Sequence, residues 1–339
     1  MSSTPDSAVG IVYDAGRSGA GAPVPPASSS IPRSARRLNP GDFVFKHITL
    51  LFAALVLSLV FLMAYEMYLG SKPALGKFGW GFLVHTVWDP VQDDYGALTF
   101  IFGTIASSLL ALLMALPLSL GVAVFLAELA PRWIERPLSF LVELLAAIPS
   151  IVYGLWGIFV LAPWLRAHAQ PFLGKELGFL PLFKGPNYGF GMLAAGLILA
   201  VMILPIITSI SRDVLKSVPD SYREAALGLG ATRWETTRII LKDARSGIFG
   251  AALLGLGRAL GETMAVTMVI GNRPEISASL FNPAYTMASV LANEFAEATT
   301  SMYTAALIEI ALVLFVVTVL LNALARLVVW SFTKRFARS

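Results

Sequence analysis

The sequence predicts an all-α polytopic membrane protein, and three observations carry that prediction. Hydrophobic residues make up 56% of the 339 and charged residues only 14%, against about 45–50% and about 25% in an average soluble domain. The 21 phenylalanines and 7 tryptophans bring more apolar surface than a soluble core of this size can hold. The apolar residues are also gathered into six runs, each long enough to cross a bilayer core about 30 Å thick, which takes roughly 20 helical residues. Intrinsic disorder and collagen-like repeats are excluded for the body of the chain. The absence of cysteine excludes disulfides, thiolate metal sites and cysteine nucleophiles. The balance of 25 basic against 21 acidic groups is too slight to imply nucleic acid.

The six spans are expected in the following order. The first is Ile48 to Leu69, carrying Glu66. The second occupies the charge-free interval from Asp94 to Glu128, with Pro117 inside it. The third covers Leu144 to Leu165, and the fourth lies between Lys184 and Arg212. The fifth runs from Gly247 to Gly271 and carries Arg258 and Glu262. The sixth runs from Met302 to Trp330 and carries Glu309. Each is expected to be helical, because a lone spanning segment must satisfy its own backbone hydrogen bonds. With the N-terminus inside, 18 Lys and Arg fall in inner segments and 6 in outer ones. Basic residues concentrate on the cytoplasmic side, so both termini are expected there. Residues 1–42, rich in Ser, Gly, Pro and Ala, read as a disordered cytoplasmic tail that is not cleaved. Residues 43–94 would hold the first span and an outer loop, and 95–339 the core. The outer loops 70–96, 166–189 and 273–301 offer a docking surface, with Trp80, Trp88 and Trp164 as interface anchors.

The inner segment 212–245 stands apart because it is densely charged with both signs mixed. Ser221-Tyr-Arg-Glu224 reads as a capping box, in which the hydroxyl takes an amide and the carboxylate reaches back to the cap amide. The helix it opens should end near Leu229, since Gly230 is a natural left-handed residue after a helix. Thr232-Arg-Trp-Glu235 reads as a second box opening a second helix toward Lys242. The segment therefore spells helix, sharp turn, helix beneath the membrane.

Here the sequence resembles a family. Glu224-Ala225-Ala226 followed by Gly230 is similar to the loop by which ABC importer permeases fit a cleft on their ATP-binding subunit. The family's closing Ile-x-Leu-Pro is altered: Ile239-x-Leu241 is followed by Lys242. The resemblance extends from Tyr95 onward. Ala127-Glu-Leu-Ala-Pro131, Ala147-Ile-Pro-Ser-Ile-Val-Tyr-Gly-Leu-Trp-Gly157, Met202-Ile-Leu-Pro205 and Arg258-Ala-Leu-Gly-Glu-Thr-Met-Ala-Val266 all resemble the phosphate-specific permeases. The resemblance implies a type I ABC importer permease with six transmembrane helices. It implies docking through Ser221, Arg223, Glu224, Ala225, Ala226, Gly230, Thr232, Trp234 and Glu235. It also implies a homologous sister permease, a dimeric ATP-binding cassette ATPase holding the ATP and Mg, and an extracytoplasmic phosphate-binding protein. No cofactor, metal or enzymatic activity is expected of this chain itself.

Arg258 sits about mid-depth in the fifth span, where a charge on a lone helix costs roughly 2.5–3.5 kcal/mol. Glu262, four residues on in a continuous helix, would share its face. The pair reads either as a self-neutralising structural ion pair or as part of a polar path. The guanidinium fork suits an oxyanion, and the resemblance implies phosphate passage at Arg258 and Glu262. An ionised carboxylate only accepts hydrogen bonds, so Glu262 beside the anion would favour one that keeps a proton. Thr263 and Thr267 either line the same path or simply pack. Gly257-x-x-x-Gly261 suggests close approach to a partner helix. No phosphate-binding P-loop is present: Gly70 to Gly76-Lys77 has the wrong spacing and ends in Phe78, so ATP hydrolysis must reside elsewhere. Molybdate or sulfate as cargo, a proton-coupled secondary transporter and a non-transporting membrane scaffold for a phosphate-sensing kinase stay open as alternatives.

Overall fold

The computed structural model describes residues 40–336. The expected tail lies outside them apart from its last three residues, which already belong to the first helix. Helix α1 spans Pro40–Phe78. A short 3₁₀ turn (Gly79–Leu83) and a two-stranded antiparallel hairpin follow, β1 (Trp88–Asp89) pairing with β2 (Asp94–Tyr95) in the register Trp88↔Tyr95 and Asp89↔Asp94. Helix α2 (Leu98–Val124) runs on into a wide π-helical turn, Phe125–Leu129. After α3 (Arg132–Ala146) comes a long helical column built from α4 (Ser150–Trp156), α5 (Ala162–Trp164) and α6 (Gln170–Glu176), joined through π-helical turns at Gly157–Leu161 and Leu165–Ala169. Helix α7 (Met192–Lys216), α8 (Asp220–Gly228), α9 (Arg233–Leu260), α10 (Met264–Val269), α11 (Met287–Glu294) and α12 (Ser301–Phe336) complete the chain.

Among the described residues, five helical stretches are long and apolar enough to cross a membrane: Phe43–Leu83, Leu98–Leu129, Ser150–Glu176, Met192–Lys216 and Ser301–Leu324. They correspond to the first, second, third, fourth and sixth expected spans. The third lies further along the chain than expected. Its column continues past Leu165, so Arg166 and Lys175 are helical rather than in a loop. The fifth expected span is not one helix: 247–271 is divided between the end of α9, an unwound stretch at Gly261–Thr263, and α10.

The described chain forms two units, divided between Val56 and Leu57. The first contributes the opening part of α1, with side chains such as Phe43, Phe52 and Leu55 exposed. In the second, α7 is the central helix. Its apolar residues Ile198, Leu199, Ile203 and Ile207 are fully buried and form one core with α2, α9 and α10. Burying a Leu or Ile side chain this way contributes about 1.5–3 kcal/mol. Small residues let α9 lie close against α7: a Cβ on Gly247 would meet Val214 at 2.4 Å, and one on Gly255 would meet Ile207 at 2.8 Å. A Cβ on either of the expected close-packing glycines, Gly257 and Gly261, would meet nothing nearer than 3.8 Å among the described residues.

A second core gathers Tyr95, Phe100, Tyr285 and Tyr303. Trp88 belongs to it rather than to an interface belt. Its indole donates to Glu294 Oε2 at 2.7 Å, as does the Tyr303 hydroxyl. Trp80 and Trp164 are exposed.

Candidate functional site

The segment below the bundle folds as helix, turn, helix, with one correction at its start. The first helix opens at Asp220, two residues earlier than a Ser221 cap would place it. Pro219 is the cap residue, and no side chain caps it. Proline fixes its own φ and suits the entry to a helix, so the backbone commits before Ser221 is reached. Ser221 lies in the first turn, exposed, and the expected box with Glu224 does not form. At the other end Gly230 has φ +85°. The Ala231 amide donates to Ala226 O and the Gly230 amide to Leu227 O, both at 3.0 Å, the two bonds of a Schellman ending. A side chain in this left-handed conformation costs roughly 1–2 kcal/mol. Gly230→Ala is therefore expected to lower the thermal midpoint of the purified protein, and an unchanged midpoint would show that the turn is not strained by a Cβ.

The second box forms as predicted. Thr232 Oγ1 accepts from the Glu235 amide at 3.3 Å, and Glu235 Oε2 accepts from the Thr232 amide and hydroxyl at 2.8 Å each. These bonds, that from the backbone amide first, hold the Glu235 carboxyl below the ordinary carboxylate range. Helix α9 then continues without a break through Lys242, where the resembled family has its proline. Without a proline nothing interrupts the backbone ladder.

Arg223 anchors the whole element. Its Nη2 and Nε donate to Glu128 Oε1 and Oε2 at 2.7 and 3.2 Å, and its Nη1 to Asp220 Oδ1 at 3.0 Å and Val218 O at 2.8 Å. Nη2 also reaches Leu215 O at 3.1 Å. It thus joins α8 to the last carbonyls of α7 and to the π-helical turn after α2. Two further ion pairs hold α3 to α7: Arg212 with Glu143 at 3.1 Å, and Lys216 with Glu135. The Lys216 hydrogen bond is the main reason that the Glu135 carboxyl lies below its ordinary range.

Ala226 is buried against this frame, while Glu224 and Ala225 are exposed. The tip of the element is apolar and open to solvent. Leu229 is 90% exposed and Trp234 69%, with Tyr222 and Leu227 beside them. Only Trp234 is foreseen by the motif. Large exposed apolar groups next to paired charges mark a surface that another protein covers.

The intramembrane pair is arranged differently from the expectation of one shared helical face. Arg258 lies in the last turn of α9 and is exposed, within electrostatic reach of the buried Tyr153 hydroxyl on α4. The helix ends at Leu260, so Glu262 does not sit one turn above Arg258, and no ion pair joins them. Glu262 is 9% exposed, and its Oε1 accepts from the Ala265 amide at 3.3 Å, at the start of α10. The break follows from local competition: glycine at 261 weakens the helix by about 1 kcal/mol relative to alanine, and the Glu262 carboxylate offers the next amide an alternative partner. The break is supported from the side by the Tyr-Gly-Leu-Trp-Gly run of α4. A Cβ on Gly154 would lie 2.5 Å from Met268 Sδ, and one on Gly157 2.6 Å from Val269. Only residues without side chains let α10 lie this close. Unwound backbone at membrane depth is tolerated where it is buried in protein or lines a polar cavity.

Thr263 donates to Gly261 O at 3.3 Å, inside the break. Thr267 donates to Thr263 O at 2.7 Å and lines a cavity of about 750 Å³ together with Arg166, Tyr188, Phe190 and Asn272. Arg258 and Glu262 are not among that cavity's walls. The expected path residues therefore fall into three places: an exposed cation, a buried carboxylate bracing the break, and a threonine facing a separate cavity. Glu309 is buried on α12 and Glu66 exposed on α1.

Five membrane-length apolar helices among the described residues, a capped helix-turn-helix and an unwound stretch beside an exposed arginine suit a transport permease. The chain belongs to the family of binding-protein-dependent transport system inner membrane components, whose pattern it matches over residues 115–333. It is 48% identical over 308 residues to the phosphate transport system permease protein PstC of Mesorhizobium japonicum, covering 89% of this chain and 94% of that one. With the protein of the same name from Haemophilus influenzae it shares 48% over 293 residues, 85% and 93% of the two chains. With phosphate transport system permease protein PstC 2 of Mycobacterium tuberculosis it shares 42% over 303 residues, 87% and 92%. Among solved structures, a chain of the MetNI methionine ABC transporter in an inward-facing conformation has the same fold, with a TM-score of 0.51 and 18% identity over 69% of this chain and 94% of that one.

Proposed function

We propose that this chain is the permease subunit of an ATP-driven importer that moves inorganic phosphate into the cytoplasm. The observation that carries the reading is Arg258, an exposed cation in the last turn of α9, beside the unwound stretch Gly261–Thr263 of the expected fifth span. An arginine in that position cannot face lipid without a cost of several kcal/mol. It therefore faces a polar path, and its planar fork of donors suits phosphate. Relatives 42–48% identical over most of their length carry phosphate transport in their names, which favours phosphate over molybdate or sulfate.

In this reading Arg258 touches the anion and Glu262 is a positioning residue that holds the break open. The path is completed by a homologous sister permease, which the unoccupied faces of Gly257 and Gly261 would suit. The exposed Leu229 and Trp234 would enter the ATPase dimer, which supplies ATP hydrolysis and Mg, and a phosphate-binding protein would dock outside. The membrane is the cytoplasmic one, with both termini inside. A proton-coupled carrier would have no use for the apolar tip of the 220–235 element.

The test is reconstitution with the sister permease, ATPase and binding protein in liposomes. Phosphate uptake is expected to need ATP, to be competed by arsenate and to ignore sulfate and molybdate. Uptake driven by a proton gradient in the absence of ATPase would sink the reading.

A further inference from the structure

Helix α3 is built differently from the spans beside it. None of its 15 residues is buried, although it packs against α7. Glu135, Ser139 and Val142 are half-buried and share one side. From that side Glu135 pairs with Lys216, and at its margin Glu143 pairs with Arg212. With 3.6 residues per turn, Trp133, Pro137, Phe140, Leu141 and Leu144 fall together on the opposite side. All five are exposed, Trp133 by 77% and Phe140 by 63%.

The ion pairs also set the slope of the helix. In the orientation proposed above α7 descends toward the cytoplasm, and Lys216 lies one turn below Arg212. The Glu135 end of α3 is therefore the lower one. From there the helix climbs toward Ser150, where the third span begins. Its composition changes along the climb. Arg132 and Arg136 stand in the lower part, and Phe140, Leu141 and Leu144 in the upper.

Both arginines are exposed and have no acid within ion-pair distance among the described residues, Glu135 beside them being taken by Lys216. They sit in the opening turns of α3, where the peptide dipoles add to positive charge instead of offsetting it. Their counter-charge must come from outside the chain.

A basic edge beside a stripe of aromatic and leucine side chains is the composition of a helix at a membrane boundary. The inner leaflet supplies both halves of the complement: anionic headgroups at the level of the arginines, and acyl chains above them. A protein partner would have to bring an acid for each guanidinium and an apolar groove for the stripe. We infer that α3 is a lipid-binding helix. Arg132 and Arg136 hold the headgroup of an anionic phospholipid, and the stripe through Trp133, Phe140 and Leu144 lies along its acyl chains. The site needs the spans and their orientation, not the cargo.

The chain contains no cysteine, so Phe140→Cys gives one attachment point for a fluorophore in an assembly whose partner subunits are cysteine-free. The full assembly is placed in phosphatidylcholine vesicles. A doxyl quencher is then added on the same acyl chain of either phosphatidylglycerol or phosphatidylcholine. Both lipids are expected to quench. The phosphatidylglycerol should bind beside the fluorophore about fivefold more tightly, the factor that one basic residue brings at an anionic surface. With Arg132→Gln and Arg136→Gln added, that preference is expected to disappear. With Arg132→Lys and Arg136→Lys instead, it should remain. An unquenched fluorophore overturns the site, because the stripe would then face the sister permease or water. Equal quenching by the two lipids overturns it as well, and so does a preference that survives the glutamine pair. The measurement reads lipid rather than uptake, so its failure is distinct from failure of the phosphate reading.

Discussion

Arg258→Gln is expected to reduce ATP-dependent phosphate uptake at least a hundredfold while the assembly still forms. Two charge-assisted hydrogen bonds to the passing anion, at about 1.5–3 kcal/mol each, account for a loss of that size. The substitution removes the charge and shortens the side chain, leaving a neutral amide that can still hydrogen-bond. Arg258 has no ion-pair partner among the described residues, so nothing charged there is orphaned by the change. Taking an unpaired cation out of the membrane should leave the protein as stable as before or slightly more so. A purified variant with a normal or raised thermal midpoint and no uptake would assign the arginine to the path. Uptake at the normal rate would remove it from the path altogether. Glu262→Gln makes the contrast: the amide oxygen can still accept from Ala265, so much of the transport should survive if Glu262 only positions the break.

The second large effect is expected at Glu128. Glu128→Gln removes the charge and turns one of the two oxygens that grip Arg223, whose side chain is only 20% exposed, into an NH2 group that faces the guanidinium donor to donor. Breaking a fully buried pair costs about 3–5 kcal/mol. Partial exposure reduces that to about 2 kcal/mol here, enough to free α8 from the end of α7. ATP hydrolysis stimulated by the loaded binding protein should then fall at least tenfold, because the docked helix no longer transmits force to the bundle. Arg223→Lys should fall between the two, since an ammonium cannot match two carboxylate oxygens at once. Full stimulation in Glu128→Gln would mean that α8 holds its place without this pair.

Much of this arrangement is legible in the sequence, and the parts that are not share a cause. Composition and run length predict the membrane bundle because bilayer thickness acts on every span alike. Gly230 and the Thr232 box are legible because a left-handed turn and a reciprocal cap are decided within three or four residues. Ser221 misleads because Pro219, just before it, sets the backbone first. The end of the third span misleads because hydropathy falls at Arg166 while the backbone stays helical as far as Glu176. The fifth span reads as continuous because its apolar run is continuous. Its interruption depends on one carboxylate bonding one amide, which hydropathy does not register. The partner of Arg223 lies 95 residues away, a contact that no local pattern encodes.

Helix α9 has a consequence beyond its two ends. It begins at the Thr232 cap and runs without interruption to Leu260, so the docking surface and Arg258 share one backbone, about 38 Å apart along its axis. They are therefore fixed in phase as well as in distance. One residue added or removed between them would swing Arg258 by about 100° around the helix, turning it from the path toward lipid or toward the core. Loops exchanged between such permeases must for that reason be spliced in whole turns. The angular position of the cation is written into the length of helix between it and the Thr232 cap.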